Sequence, residues 1–293
     1  MKIAVFSIES SDDVKRVIDK IFDLSINKNI SYQIYSELYK SLNLNNHSLF
    51  NNHSDLDPEV DLMISIGGDG TFLRTLDIIR DKSIPVLGIN TGRLGFLSTM
   101  NDQNISKLYN DILNSNYEIE ERSTIKVEVL NSKVLDKVFC VGLNEISIVR
   151  KNTTSLINIK TKLDGEFLNS YWSDGLIVST PTGSTGYSLS CGGPIVSPNS
   201  NSLILTPISP HNLNARPIVI SDKTKIEINV SGREDFHLLS IDTKIISLKQ
   251  GMSIIIEKSP IKFKLVNIDG NSYYETLREK LFWGKDKRNW FWK

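Results

Sequence analysis

Short apolar runs alternate with amphipathic stretches along the first third of the chain. The runs have the length of buried strands, and they cover residues 2–7, 30–35, 61–66 and 85–90. After the first run, apolar side chains recur at helical spacing behind Ser10 or Ser11, either of which can cap a helix. Helical spacing also follows the third run. This order predicts a parallel sheet with helices on its faces.

The rest of the chain has a different pattern, in which short strand-like segments are separated by turn residues. The predicted strands cover residues 123–130, 138–149, 156–163, 176–179, 203–207, 218–220, 225–230, 238–241, 252–257 and 262–266. Asp164-Gly165 and Ser231-Gly232 are typical of the turns between such strands. The pattern predicts a mostly antiparallel, sandwich-like all-β domain. We interpret His237 as a side chain on a sheet surface.

The change of pattern places a domain boundary near residues 98–102. We therefore predict an α/β N-terminal domain with a mostly parallel sheet over residues 1–100 and an all-β sandwich-like C-terminal domain over residues 101–270, which starts with a short helix. Helical spacing returns after residue 272. Residues 271–293 are expected to pack back on the first domain.

The composition narrows the class of protein. The 293 residues are 40% hydrophobic and 23% charged, with a formal net charge of zero. Such values are typical of globular proteins and provide no global field for nucleic acid or anionic membranes. No apolar run is long enough to span a bilayer, and the N-terminus is interpreted as a strand rather than a secretion signal. We expect a cytoplasmic protein that binds neither nucleic acid nor membrane.

A glycine turn, Gly67-Gly-Asp-Gly-Thr71, connects the third apolar run to the helical spacing that begins at Phe72. Glycines in such a turn permit positive φ and close approach of a ligand, and the first N–H groups of the helix favour phosphate. Asp69 is unusual there, because a carboxylate repels a bare phosphate. It suits a site where it holds a metal ion or accepts a proton from a hydroxyl that is being phosphorylated. A tight structural turn is the alternative interpretation.

The second informative stretch covers residues 173–193, where a short strand ends in a loop rich in hydroxyls and glycines. Neutral hydrogen-bonding groups beside exposed backbone amides suit a polar ligand with many oxygens. Tyr187 adds a ring that can stack on a base. A solvated turn is the alternative interpretation.

The glycine turn and Asn90 both follow predicted parallel strands. Ligands of such sheets bind beyond the carboxyl ends of the strands. We therefore expect Asp69 and Asn90 to lie near one crevice.

These segments together resemble the NAD kinase (ATP-NAD kinase) family over nearly the whole chain. The motifs are Gly-Gly-Asp-Gly-Thr at 67–71, Asn-Thr-Gly-Arg-Leu-Gly-Phe-Leu at 90–97, Asn-Glu at 144–145, Ser-Asp-Gly at 173–175, Thr-Pro-Thr-Gly-Ser-Thr-Gly-Tyr-Ser-Leu-Ser at 180–190 and Gly-Gly-Pro at 192–194. The resemblance implies a two-domain enzyme that transfers the terminal phosphoryl group of ATP to the adenosine ribose 2′-hydroxyl of NAD and so forms NADP.

The resemblance implies that Asp69 is catalytic. Two roles are open for it, namely proton acceptor for the 2′-hydroxyl and carboxylate that orients Mg²⁺ on the donor phosphates. Gly68 and Gly70 would give the phosphates access to the backbone. Arg74 would supply positive charge near them.

The same resemblance implies that the β-rich domain binds NAD. Asn144 and Glu145 would grip it, because a carboxylate accepts hydrogen bonds from ribose hydroxyls and an amide can contact a base edge. Asp174 would complete the site, with Tyr187 against a base and Ser188 on polar edges. Four further residues of the loop are implied in binding, namely Thr185, Gly186, Leu189 and Ser190.

The cofactors and assembly are also implied by the family. They are Mg²⁺, ATP as donor with polyphosphate as an alternative, and a homodimer or homotetramer. The chain departs from the family pattern at Ser155, Trp172 and Lys244. Two other functions share the glycine turn or the nucleotide site: a lipid or other small-molecule kinase, and a nucleotide sensor without catalysis. The hydroxyl-rich loop argues against the first, and Asp69 argues against the second.

Overall fold

The computed structural model describes residues 1–26, 28–44, 47–92, 95–98, 100–101, 105–152, 154–268 and 272–282. The chain divides into two compact units. Unit 1 consists of Met1–Glu121 with Lys264–Lys293, and unit 2 is Arg122–Phe263. Unit 1 is an α/β structure with a mostly parallel sheet and unit 2 is an antiparallel β sandwich, so the predicted fold class is confirmed.

Unit 1 is built on one sheet with helices against it. Its strands are β1 (Lys2–Phe6), β2 (Ser31–Tyr35), β3 (Ser48–Phe50), β4 (Leu62–Ile66), β5 (Val86–Asn90), β6 (Met100–Asn101), β7 (Glu118–Arg122) and, from the end of the chain, β20 (Phe263–Asn267). The described strands follow the order β3-β2-β1-β4-β5-β20-β7, and β6 also pairs with β5. Strands β4 and β5 are both buried along their whole length, as expected of central strands in a parallel sheet.

The helices of unit 1 are α1 (Asp12–Ser25), α2 (Ser36–Ser41), α3 (Asp69–Ile79), α4 (Ile105–Leu113) and α6 (Tyr273–Leu281). Ser11 caps α1 by accepting a hydrogen bond from the Val14 N–H, and Asp12 and Asp13 lie favourably in its first turn. Its apolar side chains enter the core of the sheet at the predicted spacing. No helix within the described residues has the length and apolar content to cross a membrane.

Unit 2 is a sandwich of two antiparallel sheets around one apolar core. One sheet contains β10 (Glu145–Arg150), β13 (Gly175–Ser179), β14 (Ser202–Ile208), β15 (Ile218–Ser221), β17 (Phe236–Ile241) and β18 (Lys244–Lys249). The other contains β8 (Ile125–Val129), β9 (Val141–Gly142), β11 (Ile157–Leu163), β12 (Glu166–Ser173), β16 (Ile226–Ser231) and β19 (Ser253–Lys258). The strand order is β15-β14-β13-β10-β17-β18 in the first and β12-β11-β16-β19-β8-β9 in the second.

The boundaries of the two units differ from the predicted ones at 100/101 and 270/271. Helix α4 belongs to unit 1, because its buried face packs into the same core as α1. Strand β20 also belongs to the first sheet, where Leu265 pairs with Val86 of β5 in parallel. The division therefore falls after residue 121 and again after residue 263. Helix α6 lies in the returning segment, and residues 283–293 are outside the described residues.

Two strands of unit 2, β12 and β18, were not predicted from the sequence. Strand β12 has the exposed aromatic residues Phe167 and Trp172 and the buried polar residue Ser173, so its period-2 pattern is weak. Strand β18 alternates well, yet it is an edge strand whose Ile245 is 69% exposed. Strand β3 was also missed, because it lies in a polar segment rich in Asn and Ser. Tertiary pairing, rather than local pattern, defines these strands.

His237 is buried in the sandwich and not on a sheet surface, which corrects its interpretation. It lies on β17 between Arg150 of β10 and Leu248 of β18, on the same face as the core residue Leu239. The side chain is 1% exposed, and neither ring nitrogen has a hydrogen-bond partner within the described part of the chain. Burial lowers the pKa of His237 to about 4, because the charged ring is poorly solvated there.

We predict that His237 makes the fold sensitive to acid. The unfolded chain binds a proton at this ring below about pH 6.5, whereas the folded chain resists it down to about pH 4. Stability is therefore complete above pH 6.5 and falls between pH 6.5 and pH 4, by at most about 3 kcal/mol for this group. Urea unfolding at pH 7 and pH 5 should show a steeper loss in the wild type than in His237→Leu.

The exposed His211 offers a matched control. His211→Gln should keep the wild-type pH dependence of the free energy of unfolding. Equal pH dependence in the wild type and His237→Leu would show that His237 does not remain neutral in the folded protein.

Candidate active site

The predicted strand, glycine turn and helix are present in unit 1. Strand β4 ends at Ile66, and Gly67 adopts φ 139°, a conformation that a side chain rarely permits. Thr71 fills the space beside it, since a Cβ on Gly67 would lie 2.7 Å from Thr71 Oγ1. Gly68 is the N-cap of α3, and Asp69 is therefore the first residue of the helix.

The carboxylate of Asp69 holds the loop that follows β5. Oδ2 accepts a hydrogen bond from the Phe96 N–H at 2.8 Å, and Oδ1 accepts from the Leu97 N–H at 3.1 Å and the Ser98 N–H at 3.0 Å. Gly95 lies so close that a Cβ there would overlap Oδ1. We call this arrangement the Asp69 clamp.

The clamp lies at the carboxyl ends of two paired strands. Ile66 of β4 and Ile89 of β5 are partners, and the Gly67 N–H donates to the Ile89 carbonyl. Asn90 ends β5, and its Oδ1 accepts from the Gly92 N–H at 2.7 Å. Asp69 and Asn90 were expected near one crevice, and the turn that carries Asp69 does lie beside the end of β5 at Asn90.

The clamp leaves Asp69 with little remaining acceptor capacity. An ionised carboxylate offers about four lone-pair directions, and three backbone N–H groups occupy three of them. The remaining direction is on Oδ2, which accepts one hydrogen bond from the described residues. Asp69 can accordingly accept one further proton or hydrogen bond, or contribute one oxygen to a metal ion.

The other residues predicted in unit 1 surround the start of α3. Gly68 and Gly70 have open space where a Cβ would stand, so a ligand can approach the backbone there. Arg74 is exposed one turn further along the helix.

In unit 2, Asn144 and Glu145 lie at the start of β10 with unpaired polar atoms. Asn144 Oδ1 and Glu145 Oε2 are both buried and have no hydrogen-bond partner among the residues that the structure describes. Their backbone is fixed by Asp242, whose carboxylate accepts from the Leu143, Asn144 and Glu145 N–H groups. Buried polar atoms without partners are uncommon in native proteins and are candidates for ligand contacts.

The hydroxyl-rich loop packs directly on this pair. It forms a 3-10 turn at Thr182–Thr185 and the short helix α5 at Tyr187–Ser190. Gly183 is in contact with the Asn144 carbonyl, which a Cβ would overlap. A Cβ on Gly186 would lie 3.2 Å from Glu145 Oε2 and 3.5 Å from Asn144 Nδ2. The structure thus brings together the two segments that the sequence analysis assigned to NAD.

The side chains of the loop differ in their accessibility. Tyr187 is 43% exposed and can offer a ring face, and Ser190 is also exposed. Ser188 is buried, and its hydroxyl is 2.8 Å from Thr206 Oγ1, so its side chain supports packing and does not line an open surface. Thr185 donates its hydroxyl to the Thr182 carbonyl, while Leu189 is half-buried.

Asp174 lies at the opposite end of the strands from Glu145. Its carboxylate pairs with both Nε and Nη2 of Arg150, at 3.0 and 3.1 Å. Strand β10 pairs with β13 so that Glu145 faces Ser179, whereas Asp174 precedes the other end of β13. Burial is the main cause that raises the pKa of the Tyr187 hydroxyl, and Cys191 is the second. The charges of Asp174 and Glu145 raise it by smaller amounts.

Two departures from the family pattern share one pocket of about 300 Å³. Ser155 and Trp172 both line it, together with Arg233 and neighbouring polar residues of β11 and β16. Trp172 is 52% exposed and packs against His211. The third departure, Lys244, donates its ammonium to the Phe139 carbonyl at 2.6 Å.

Family models match both halves of the chain. The ATP-NAD kinase N-terminal domain matches residues 13–117, and the ATP-NAD kinase C-terminal domain matches residues 143–268. The chain belongs to the ATP-NAD kinase family. Family membership makes it an enzyme, as the motifs indicate.

Relatives and solved structures agree with this assignment. The NAD kinase of Flavobacterium psychrophilum is 45% identical over 295 residues, which cover 99% of this chain and all of the relative. A yeast NADH kinase complexed with NADH has the same fold, with a TM-score of 0.88, 23% identity, and 98% and 89% of the two chains covered. An NAD kinase from Archaeoglobus fulgidus in complex with ATP has a TM-score of 0.74 and 27% identity, with 96% and 99% covered.

The electrostatics of the family's Asn-Glu motif centre on two neighbouring carboxyls. Burial and, to a smaller extent, the charge of Asp242 together raise the pKa of Glu145 to about 8. Burial also raises the pKa of Asp242, but three backbone N–H groups and Lys244 oppose that effect. Because three backbone N–H groups donate to the Asp242 carboxylate, the negative charge of the pair is favoured on Asp242, and the raised pKa of Glu145 favours its protonated form at neutral pH.

Residues able to hold a metal are few. Within the described residues, no group of three or more His, Cys, Asp or Glu side chains converges on a point. Mg²⁺ commonly binds through one or two carboxylates together with substrate phosphates. The single acceptor direction left on Asp69 fits a magnesium ion that is held mainly by the donor phosphates.

Sequence reasoning missed three contributors to this geometry. The backbone of Phe96, Leu97 and Ser98 restrains Asp69, although the motif at 90–97 was noted without a role. Asp242 was given no role, although the nearby Lys244 was noted as a departure from the family pattern. The pairing of Arg150 with Asp174 could not be predicted, because a charged residue at the end of a strand is common.

We predict that Gly95→Ala disables the Asp69 clamp. The new Cβ would overlap Asp69 Oδ1, so either the carboxylate or the loop must move. A displacement of about 1 Å at a catalytic group can cost about 100-fold in rate. NADP formation by the purified variant, with circular dichroism as a check of folding, measures the effect.

Gly92→Ala in the same loop is the matched control. Among the described residues its Cβ would meet Asn90 Oδ1 alone, at an ordinary 3.8 Å. Wild-type activity in both variants would show that the clamp geometry is not needed.

Proposed function

We propose that this enzyme transfers the terminal phosphoryl group of ATP to the adenosine ribose 2′-hydroxyl of NAD and so forms NADP. The observation that carries the proposal is Asp69, a restrained carboxylate with one acceptor direction left at a helix start that favours phosphate. Relatives named NAD kinase along the whole chain support the substrate, and a related enzyme crystallised with ATP supports the donor.

Unit 2 supplies groups suited to NAD. Glu145 can accept from ribose hydroxyls once it is ionised, and Asn144 can bond a base edge through its unpaired Oδ1. The exposed ring of Tyr187 is available for stacking on a base. Gly186 leaves room for a ligand beside Glu145, because any Cβ at this position would crowd Oε2.

Asp69 acts on the reacting hydroxyl in this proposal. Phosphoryl transfer proceeds through a loose transition state, which requires little early removal of the hydroxyl proton. A carboxylate that orients the hydroxyl and accepts its proton late is therefore sufficient. The backbone N–H groups of residues 96–98 hold Asp69 in one orientation for this step.

Magnesium would neutralise the donor phosphates during transfer. Gly68 and Gly70 would present backbone N–H groups to the same phosphates, and Arg74 would add positive charge. A homodimer or homotetramer is part of the proposal. The exposed Ile218 and Val219 on the edge strand β15 support self-association, since an edge strand with apolar side chains is suited to pairing.

Incubation of the protein with NAD and Mg-ATP tests the function directly. NADP should accumulate with multiple turnovers. Phosphorylation of a lipid but not of NAD would favour a lipid kinase, and tight NAD binding without turnover would favour a sensor.

We predict that Asp69→Asn lowers kcat by a factor of about 100 to 10,000, because the amide cannot accept the hydroxyl proton. The dissociation constant for NAD should change by no more than about threefold, since the lost interaction belongs to the transition state. Steady-state kinetics and isothermal titration calorimetry measure the two quantities. Asp77→Asn on the same helix should behave as the wild type. A near-normal kcat in Asp69→Asn would exclude the assigned role.

We also predict that NAD binds more tightly as the pH rises. The pKa of Glu145 is raised to about 8, so the side chain must lose its proton before its carboxylate can accept hydrogen bonds from ribose hydroxyls. The affinity should therefore increase about tenfold between pH 7 and pH 9 and then level off. Glu145→Gln, which has no ionised form, should bind NAD weakly and with the same affinity across this range. An affinity independent of pH in the wild type would contradict the assignment.

A further inference from the structure

Asp242 is connected to the NAD-binding pair through the backbone and not through side chains. Its Oδ2 accepts from the Leu143 N–H at 2.7 Å, and its Oδ1 accepts from the Asn144 N–H at 2.9 Å and the Glu145 N–H at 3.0 Å. In return, the Asp242 N–H donates to the Glu145 carbonyl at 3.0 Å. One residue thus fixes three consecutive peptide groups just where β10 begins.

The position of Asp242 is itself tightly defined. It lies in the turn between β17 and β18 and adopts φ 47°, which Asp and Asn tolerate better than most residues. Gly142 leaves space for the carboxylate, since a Cβ there would lie 3.2 Å from Oδ1. Strand β17 also pairs with β10 from Ile241 to His237, so the turn cannot shift independently of the strand.

The restrained segment carries the polar side chains that are assigned to NAD in the proposed function. Asn144 and Glu145 carry buried side-chain oxygens without partners, and the Asn144 carbonyl also accepts from the Thr180 N–H at the start of the hydroxyl-rich loop. Fixing the backbone at 143–145 therefore fixes the points from which both side chains extend. Pre-organised polar groups bind a ligand more tightly because less ordering is left for the binding step.

We propose that Asp242 is a positioning residue, which holds Asn144 and Glu145 in the orientation that grips NAD. The proposal rests on the proposed function, because it assumes that this pair contacts NAD. Asp242 itself does not touch the substrate in this scheme. Its carboxylate acts through the peptide groups of the segment and through its charge beside Glu145.

Asp242→Asn is the variant that tests the proposal. Asn has the same shape and tolerates the same backbone conformation, but one acceptor oxygen becomes an NH₂ that faces a backbone N–H. We expect the KM for NAD to rise by about tenfold to 100-fold, while kcat changes by less than about threefold. The KM for ATP should stay near the wild-type value.

Asp164→Asn is the matched control in the same unit. Asp164 also lies in a strand turn with φ 50°, and its carboxylate accepts from the Lys225 N–H at 2.9 Å. It does not contact the segment at 143–145. Both kinetic constants should remain within about twofold of the wild type, which separates loss of a turn from loss of positioning.

The pH dependence gives a readout that a purely structural role would not change. The titratable groups that act on Glu145 and Asp242 are each other, Tyr187 and Cys191 near Glu145, and Lys244 near Asp242. Removing the charge of Asp242 lowers the pKa of Glu145. The increase of NAD affinity with pH should then occur at lower pH in Asp242→Asn than in the wild type.

Amide hydrogen exchange tests the proposal without a variant, in case Asp242→Asn does not fold. The Leu143, Asn144 and Glu145 amides should be protected in the ligand-free wild type, because Asp242 holds them before NAD binds. Exchange at the rate of an unstructured loop would overturn the proposal. So would an unchanged KM for NAD in a folded Asp242→Asn enzyme whose wild type makes NADP. A wild type that makes no NADP overturns the proposed function, and this role with it.

Discussion

A carboxylate that accepts several consecutive backbone N–H groups is the interaction on which both candidate sites depend. Asp69 does this for residues 96–98 and Asp242 for residues 143–145. Loops near a ligand site have few neighbours to satisfy their N–H groups, and each buried N–H without a partner costs about 1–3 kcal/mol. One acid solves this for three peptide groups at once and fixes their direction.

The two acids differ in what they leave available. Asp69 retains one acceptor direction and lies at a helix start, so it can still take part in chemistry. Asp242 is enclosed by the backbone that it binds, and its remaining influence is electrostatic. That influence falls on Glu145, whose raised pKa reflects burial first and this neighbouring charge second. The same chemical device therefore restrains a reactive group in unit 1 and shapes a binding group in unit 2.

Glycine makes both arrangements possible. Gly95 admits the carboxylate of Asp69, and Gly142 lies against that of Asp242. Gly183 and Gly186 bring the hydroxyl-rich loop against Asn144 and Glu145 in the same way. These positions need the absence of a side chain more than they need a special φ, whereas Gly67 needs both. The glycines of the family motifs at 67, 95, 183 and 186 thus each have a steric reason.

The sequence predicts the parts of this protein that depend on local pattern. Helix α1 and the buried strands β4 and β5 follow from periodicity and apolar length, and the turn at Asp69 follows from its glycines. The partners of Asp69 are 27 to 29 residues away along the chain, and those of Asp242 are 97 to 99 residues away. No local pattern encodes contacts of that range. His237 shows the same limit, because alternation alone does not tell which face of β17 is covered by the second sheet.

Strand β20 has a consequence for how the chain can fold during synthesis. It lies between β5 and β7 in the sheet of unit 1, yet it is made after all the strands of the sandwich. All the strands of unit 2 have therefore been synthesised before unit 1 receives β20, the strand that lies between β5 and β7. Domains commonly fold as they emerge, from the N-terminus onward. In this protein unit 2 can fold first, although most of unit 1 is synthesised before it. The sheet of unit 1 is completed only when β20 has been synthesised.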